Sequence, residues 1–260
     1  MSKVWILGPC SMESVDFYLE TARQLHKIMR GKEWYYKASF DKANRTSLYG
    51  GRGPGLDEAI RAFELVKEEF PDIKLLTDVH ETHQVEKLAD TIDCIQIPAF
   101  LCRQTDLIVE CATHFDTINV KKGQWLGPDN VLKSLDKIKD TNENCQAWLC
   151  ERGTNLGYDK LIVDFTIVDQ IKEKYDKFIF DCTHSTQRSR EVYIYQGDRV
   201  LAERYVMASG ILNYDGVFSE THPTPSEAVS DADCQLYLSR IEKLVEMTDK
   251  IDNMLGDYSW

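Results

Sequence analysis

Residues 37–55 read KASFDKANRTSLYGGRGPG and directly follow Trp34-Tyr35-Tyr36, an apolar run with the pattern of a short buried strand. From Lys37 onward, polar side chains, four glycines and a proline accompany four cations, namely Lys37, Lys42, Arg45 and Arg52. Glycine lets backbone N–H groups approach an anion, arginine offers forked donors, and lysine offers a compact charge. A solvated basic loop is the alternative, but a basic cluster is more informative in a chain that is acidic overall. The stretch therefore predicts a phosphate-binding loop at a strand end.

Seven further short apolar runs alternate with amphipathic segments along the chain. The predicted strands cover residues 4–7, 34–37, 73–77, 94–97, 117–120, 145–150, 178–180 and 216–218. Nearly continuous runs of β-branched and aromatic residues are typical of parallel strands buried on both faces. Eight strand–helix units in 260 residues predict an α/β fold, a single (β/α)8 TIM barrel with one catalytic domain over residues 1–260. A doubly wound open sheet is the alternative, weakened because no G-x-G-x-x-G follows the first strand.

The composition is that of a globular protein, with 43% hydrophobic residues and a formal net charge of −12. The acidic balance argues against nucleic acid and anionic membranes as partners, so local cations must attract any anionic substrate. The apolar run before Pro9 is too short for a signal-peptide core, and no run approaches the length of a membrane span. We therefore expect a cytoplasmic protein whose eight cysteines stay reduced.

Polar or charged residues follow every predicted strand, and this is where a barrel enzyme keeps its working residues. One group consists of cations that can converge on anionic groups: Lys42, Arg45, Lys121 and Arg152. A second group offers a thiol, an imidazole and two carboxylates, the ligand types of a borderline metal ion: Cys10, His184, Glu220 and Asp231. Their wide spacing makes the metal signal weak, and from the residues alone a buried thiol and a core histidine are the simpler interpretation.

A series of longer motifs runs through nearly the whole chain. In order they are KASFDKANRTS, TDVHE, QIPAFLCRQTDL, NVKKGQ, ERGTNLGY, DCTHSTQ and DGVFSETHPTPSEAVSDADCQL. In order and spacing they resemble the 3-deoxy-D-manno-octulosonate 8-phosphate synthase family. The resemblance implies a homotetrameric (β/α)8 barrel that condenses phosphoenolpyruvate, an aldose phosphate (normally arabinose 5-phosphate) and water. The implied products are inorganic phosphate and an octulosonate phosphate that serves lipopolysaccharide biosynthesis.

The resemblance also implies substrate-binding residues, position by position. Those that match the phosphoenolpyruvate site are Lys42, Lys121 and Arg152, with Lys37 and Gln96 in support. Those that match the segment holding the aldose phosphate are Asn44, Arg45 and Thr46. Arg103 matches an arginine of the same region near a subunit boundary.

A divalent metal ion is implied as well, because the family's metal-dependent members carry cysteine at the first strand end. The matching ligands are Cys10, His184, Glu220 and Asp231. The ion would act as a Lewis acid that orients the aldehyde, and zinc, iron, manganese and cobalt all suit such ligands. The implied catalytic group is Cys10, Lys42, His184 and Asp231.

Two segments depart from the family pattern, and both belong to the acceptor side. Residues 188–199 replace a glycine-rich loop with a more aromatic sequence, and residues 48–51 also differ. We therefore hypothesise that the reaction type is kept while the preferred aldose phosphate has drifted. The Lys-Ala-Asn-Arg sequence around Asn44 resembles that of enzymes that use arabinose 5-phosphate, whereas enzymes that use erythrose 4-phosphate typically have Lys-Pro-Arg, so the resemblance implies arabinose 5-phosphate. Alternatives from other classes are a Schiff-base barrel aldolase and a non-catalytic sugar-phosphate binder.

Overall fold

The computed structural model describes residues 3–44, 48–172, 174–188 and 196–256. Its strands are β1 (Val4–Gly8), β2 (Trp34–Lys37), β3 (Lys74–Asp78), β4 (Cys94–Ile97), β5 (Thr117–Lys121), β6 (Gln146–Glu151), β7 (Lys177–Asp181), β8 (Gly216–His222) and β9 (Leu236–Tyr237). Its helices are α1 (Val15–Ile28), α2 (Leu56–Glu69), α3 (Thr82–Ala89), α4 (Thr105–His114), α5 (Pro128–Thr141), α6 (Ile167–Ile171), α7 (Arg199–Ile211) and α8 (Leu238–Leu255).

Strands β1 to β8 are parallel and form a closed ring. Each strand pairs with the next along the chain, and β8 pairs with β1 in a register that runs from Val4↔Gly216 to Gly8↔Glu220. Closure of this kind leaves no edge strand, as a barrel requires. The predicted (β/α)8 barrel is therefore confirmed, and the open-sheet alternative is wrong.

Six strands, namely β1, β3, β5, β6, β7 and β8, extend past their predicted C-terminal ends, and the added residues include Lys121 and Glu220 of the predicted site. β6 includes Glu151, and β8 continues past residue 218 through Glu220 to His222. The polar residues at these ends are buried, and their backbones still pair with the neighbouring strands. Because polar residues are typical of loops, the sequence pattern placed the strand ends too early. The short β9 was not predicted; it pairs with β8 through Thr221↔Leu236.

Two hydrophobic cores lie on opposite sides of the barrel wall. The larger core fills the space between the strands and the surrounding helices. A smaller cluster, here called the inner plug, comprises Val4, Ile6, Tyr35, Leu76, Cys94, Trp148, Cys150, Ile179 and Phe218. Since side chains alternate across a strand, these residues and their neighbours explain why the strands are apolar on both faces.

The helices are amphipathic and pack their apolar faces on the outside of the barrel. In α1, for example, the Ser14 hydroxyl caps the first turn by accepting a hydrogen bond from the Phe17 backbone N–H at 3.2 Å, and Tyr18 and Leu25 are buried. Among the described helices, none combines the length and the apolar character needed to cross a membrane.

Gly8 lies at the end of β1, close to the backbone at the end of β2. Its φ is +152°, and an added Cβ would lie 2.0 Å from the Lys37 carbonyl oxygen. We therefore expect Gly8→Ala to lower the free energy of unfolding by about 3 kcal/mol or more, measured by urea denaturation. Gly31→Ala is the matched control, because φ there is +75° but the added Cβ would meet no described atom within 4 Å. The control should lose only about 1 kcal/mol, and equal losses would contradict the steric argument.

Candidate functional site

The C-terminal ends of the barrel strands gather an unusual number of buried charged groups. Cys10 follows β1, Lys37 ends β2, Asp78 ends β3, Lys121 ends β5 and Asp181 ends β7. Arg152 and Glu220 join them from β6 and β8, and both are buried. Burying a charged group costs free energy unless the group is paired, so the buried charged residues at this rim indicate a binding site for charged ligands.

Cys10, Glu220 and Asp231, here called the ligand cluster, meet at one side of this rim. The Gly8↔Glu220 register brings the chain after β1 against the end of β8. The Cys10 Sγ donates a hydrogen bond to Asp231 Oδ2 at 3.1 Å, and one possible ligand atom from each of the three residues lies within 4.8 Å of the others. Asp231 has a φ of +52°, a left-handed conformation that aspartate tolerates better than most residues.

His184, the fourth predicted metal ligand, lies beside the ligand cluster. Its Nε2 is 3.7 Å from Glu220 Oε1, while its Nδ1 lies 2.9 Å from Asp181 Oδ2. Asp181 also accepts hydrogen bonds from the backbone N–H groups of Thr183 and His184. A carboxylate that fixes one imidazole nitrogen and turns the other toward a metal is a common outer-shell arrangement.

The donor atoms of the ligand cluster suit a divalent ion. Glu220 Oε2 is fully buried and has no hydrogen-bond partner among the described residues. Burial, and next the Glu220 carboxylate, raise the pKa of the Cys10 thiol well above its usual value. Burial would also raise the pKa of Asp231, but His184 and Lys42 lower it below the usual range. A thiol and two carboxylates crowded together, with one carboxylate oxygen of Glu220 left unpartnered among the described residues, are compatible with a metal site.

Two predicted substrate-binding lysines approach the ligand cluster from β2 and the loop after it. Lys37 Nζ lies 3.1 Å from Glu220 Oε1 and donates to the Cys10 carbonyl at 3.1 Å. Lys42 Nζ donates to Ser39 Oγ at 3.0 Å. Burial would lower the pKa of Lys42, but the surrounding acidic groups of Cys10, Glu220, Asp78 and Asp231 raise it above its ordinary value. Lys42 is therefore held as a cation.

The other two predicted cations are Lys121, the last residue of β5, and Arg152, which directly follows the neighbouring strand β6. Lys121 Nζ lies 2.6 Å from Asp181 Oδ2 and 3.0 Å from the centre of the Phe218 ring, directly above the inner plug. Arg152 donates to Gln187 Oε1 at 2.9 Å, and Gln187 Nε2 donates to Asp231 Oδ1 at 2.9 Å. One hydrogen-bonded chain thus links Arg152 to the ligand cluster.

Three carboxylate and amide groups of this network were not predicted as site residues: Asp78, Asp181 and Gln187. Asp78 accepts hydrogen bonds from Ser39 Oγ and, at 3.0 Å, from His80 Nε2. Burial would raise the pKa of Asp181, but His184 and then Lys121 lower it. Asp78 and Asp181 could have been predicted, because each is an aspartate at the end of an apolar strand, in TDVHE and DCTHSTQ, respectively.

Other predicted site residues occupy different surroundings. Gln96 accepts a hydrogen bond from Asn119 Nδ2 at 2.9 Å inside the barrel. Asn44 and Arg103 are exposed, and Arg45 and Thr46 lie outside the described residues, as do residues 189–195 of the altered segment. Arg52, counted among the phosphate-loop cations, forms a two-bond ion pair with Asp41, its Nε lying 2.7 Å from Oδ1. That pair closes the base of the loop, so the Arg52 guanidinium is already neutralised.

Comparison with known proteins gives a consistent result over the whole chain. A family model described as the DAHP synthetase I family matches residues 2–256. The 2-dehydro-3-deoxyphosphooctonate aldolase of Fusobacterium nucleatum is 39% identical over 255 residues, which cover 97% of this chain and 91% of that protein. Proteins of the same name from Helicobacter acinonychis and Campylobacter jejuni are 42% and 38% identical, covering 96% and 98% of both chains, respectively.

Proposed function

Since the chain belongs to the DAHP synthetase I family, we propose that it condenses phosphoenolpyruvate with an aldose phosphate and water. With arabinose 5-phosphate as acceptor, the products are 3-deoxy-D-manno-octulosonate 8-phosphate and inorganic phosphate. The shared name of the relatives supports this product. The observation that carries the proposal is the convergence, at one rim of the barrel, of the ligand cluster with Lys42, Lys121 and Arg152.

Electrostatics explains why this reaction needs several buried cations. Two phosphorylated reactants must be held close together although they repel each other, and preorganised positive groups offset that repulsion. Lys42, Lys121 and Arg152 bind the phosphate and carboxylate of phosphoenolpyruvate, with Lys37 and Gln96 in support. Asn44, Arg45, Thr46 and Arg103 serve the acceptor, which enters from the open side of the rim.

The bond changes are those of an aldol-type condensation with loss of phosphate. Carbon 3 of phosphoenolpyruvate bonds to the aldehyde carbon, and the aldehyde oxygen takes up a proton. The water oxygen bonds to carbon 2, and the bond between carbon 2 and the phosphate oxygen breaks. Of the two water protons, one balances the proton taken up by the aldehyde oxygen and the other leaves with the phosphate. Lys42, kept protonated by its acidic neighbours, supplies a fixed positive charge beside the reacting atoms.

A divalent ion held by Cys10, His184, Glu220 and Asp231 would supply Lewis-acid polarisation of the aldehyde oxygen. Thiolate, imidazole and carboxylate ligands suit zinc, iron, manganese or cobalt. The chain's own contribution is to orient His184 through Asp181 and to keep Asp231 in place through Gln187 and Ser230.

A Schiff-base aldolase fits these surroundings poorly. Such an enzyme needs a neutral lysine whose pKa is lowered by burial or by another cation. Here the acidic neighbours of Lys42 raise its pKa, and Lys121 is paired with Asp181 at 2.6 Å.

Phosphate release from phosphoenolpyruvate, measured with different aldose phosphates, tests both the reaction and the acceptor. We expect release to require an acceptor and kcat/KM to be highest with arabinose 5-phosphate. If ribose 5-phosphate or erythrose 4-phosphate comes within about tenfold of it, the acceptor preference has drifted as the altered segments suggest. A preference above about a hundredfold would contradict drift, and no release with any acceptor would contradict the proposed function.

A further inference from the structure

Two adjacent dipeptides, Lys121-Lys122 and Glu151-Arg152, lie at the ends of the paired strands β5 and β6. The register pairs Lys121 with Cys150, a residue of the inner plug. Because side chains alternate across a strand, Lys121 and Arg152 face the site while Lys122 and Glu151 face the opposite side of the wall. Both outward residues are fully buried, at 1% exposure each. The proposed function uses the inward pair and leaves the outward pair unexplained.

Lys122 connects the chain after β5 with the chain after β6 through its ammonium group. Its Nζ lies 3.4 Å from Glu151 Oε1, and it donates to the Gly153 carbonyl at 3.2 Å and to Thr154 Oγ1 at 3.1 Å. The Leu126 carbonyl, in the loop after β5, lies 3.5 Å away. Glu151 Oε1 also accepts a hydrogen bond from the Gly153 backbone N–H. The pair thus fixes the backbone on both sides of Arg152 and the turn that follows Lys121.

A buried ion pair contributes little to the free energy of unfolding, so stability alone does not explain this one. Removing two charges from water is costly, and well-packed apolar residues of similar volume often stabilise a protein as much or more. Glu151 Oε2 is buried without a hydrogen-bond partner among the described residues, which adds to that cost. A single, well-defined geometry is what such a pair provides best.

We propose that Lys122 and Glu151 are positioning residues, which hold the ends of β5 and β6 so that Lys121 and Arg152 converge on one phosphate or carboxylate group. This inference rests on the proposed function for the identity of the anion, phosphoenolpyruvate. It extends that function by assigning a role to two residues that do not themselves touch the substrate.

Steady-state kinetics of Lys122→Met, Glu151→Gln and the double variant Lys122→Met/Glu151→Leu test the proposal. We expect KM for phosphoenolpyruvate to rise about tenfold or more in all three, because misplaced binding groups lose affinity steeply, while KM for the aldose phosphate changes less than about twofold. The double variant should regain a melting temperature near that of the wild type without regaining KM. Wild-type KM in a double variant of normal melting temperature would overturn the proposal.

Lys3→Met provides the matched control, since Lys3 is another buried lysine, 3.5 Å from Asp252 and remote from the rim. It should lower the melting temperature and leave KM for phosphoenolpyruvate unchanged. Calorimetric titration with inorganic phosphate gives a readout that does not depend on turnover: Lys122→Met should bind phosphate about tenfold more weakly than the wild type. Equal phosphate affinity would overturn the positioning role. A wild type that binds phosphate but does not consume phosphoenolpyruvate would instead contradict the proposed function.

Discussion

Lys42→Met is expected to reduce kcat/KM for the condensation by about a thousandfold or more, because it removes a preorganised charge from a desolvated site. The Lys42 ammonium donates to Ser39 and lies among the acidic groups of Cys10, Glu220, Asp78 and Asp231. Methionine keeps most of the side-chain volume, so the loss measures charge rather than packing. Without the cation, the three carboxylates among these groups repel both each other and the anionic substrates.

A surface lysine gives the control for this variant. Lys67 lies 2.6 Å from Asp93 on the outside of the barrel, and Lys67→Met should keep wild-type kcat/KM. Circular dichroism establishes that both variants are folded before their kinetics are compared. A Lys42→Met enzyme within tenfold of the wild type would mean that Lys42 does not act on the reacting groups.

Cys10→Ala is expected to abolish stoichiometric metal binding and thereby to lower kcat by at least about a hundredfold. Dialysis against a chelator should inactivate the wild type, and adding back a divalent ion should restore activity. The raised pKa of Cys10, caused first by burial, means that the thiol is protonated when no metal is bound near neutral pH. Only the thiolate ligates a metal, so binding releases a proton and metal affinity should fall as the pH is lowered.

Metal content after exhaustive dialysis, measured by atomic emission, is the decisive quantity. Cys145→Ala is the matched control, because Cys145 is also a buried free thiol but lies just before β6, at the opposite end of the barrel. It should retain the metal content of the wild type. If Cys10→Ala also retains it, or if chelation leaves the wild type fully active, the ligand cluster has another role.

The barrel was predictable because eight short apolar runs each indicate a strand, and an error at one strand boundary does not change the number of strands. Strand β8 shows where such reasoning fails. Ser219, Glu220 and Thr221 look like the start of a loop, but backbone pairing with β1 and β9 carries the strand through them. The polarity of a residue in the sequence describes its side chain only. The length of a strand depends on backbone hydrogen bonds to partner strands, which can lie far away in the chain.

The candidate site was predictable in its residue types and less so in its pairings. Cys10, Glu220 and Asp231 were expected to meet, and their ligand atoms do. Their roles, and that of His184 beside them, remain predictions. The sequence could not reveal that Arg52 forms an ion pair with Asp41, since the identity of a charged residue does not show which residue it pairs with. Exposed Arg103 illustrates a further limit, because a role at a subunit boundary depends on a second chain.

The inner plug has a consequence for the order of events in catalysis. Its residues fill the barrel interior beneath Phe218, so the space at the rim forms a well that is closed at its base. Lys121 lies on the floor of that well, against the Phe218 ring, whereas the loop bearing Asn44 lies at its exposed edge. For the proposed reaction, we therefore expect the reactant beside Lys121 to bind before the reactant near Asn44. Ordered rather than random entry of the two reactants is thus the kinetic behaviour that we expect from a barrel whose interior is filled by these nine buried side chains.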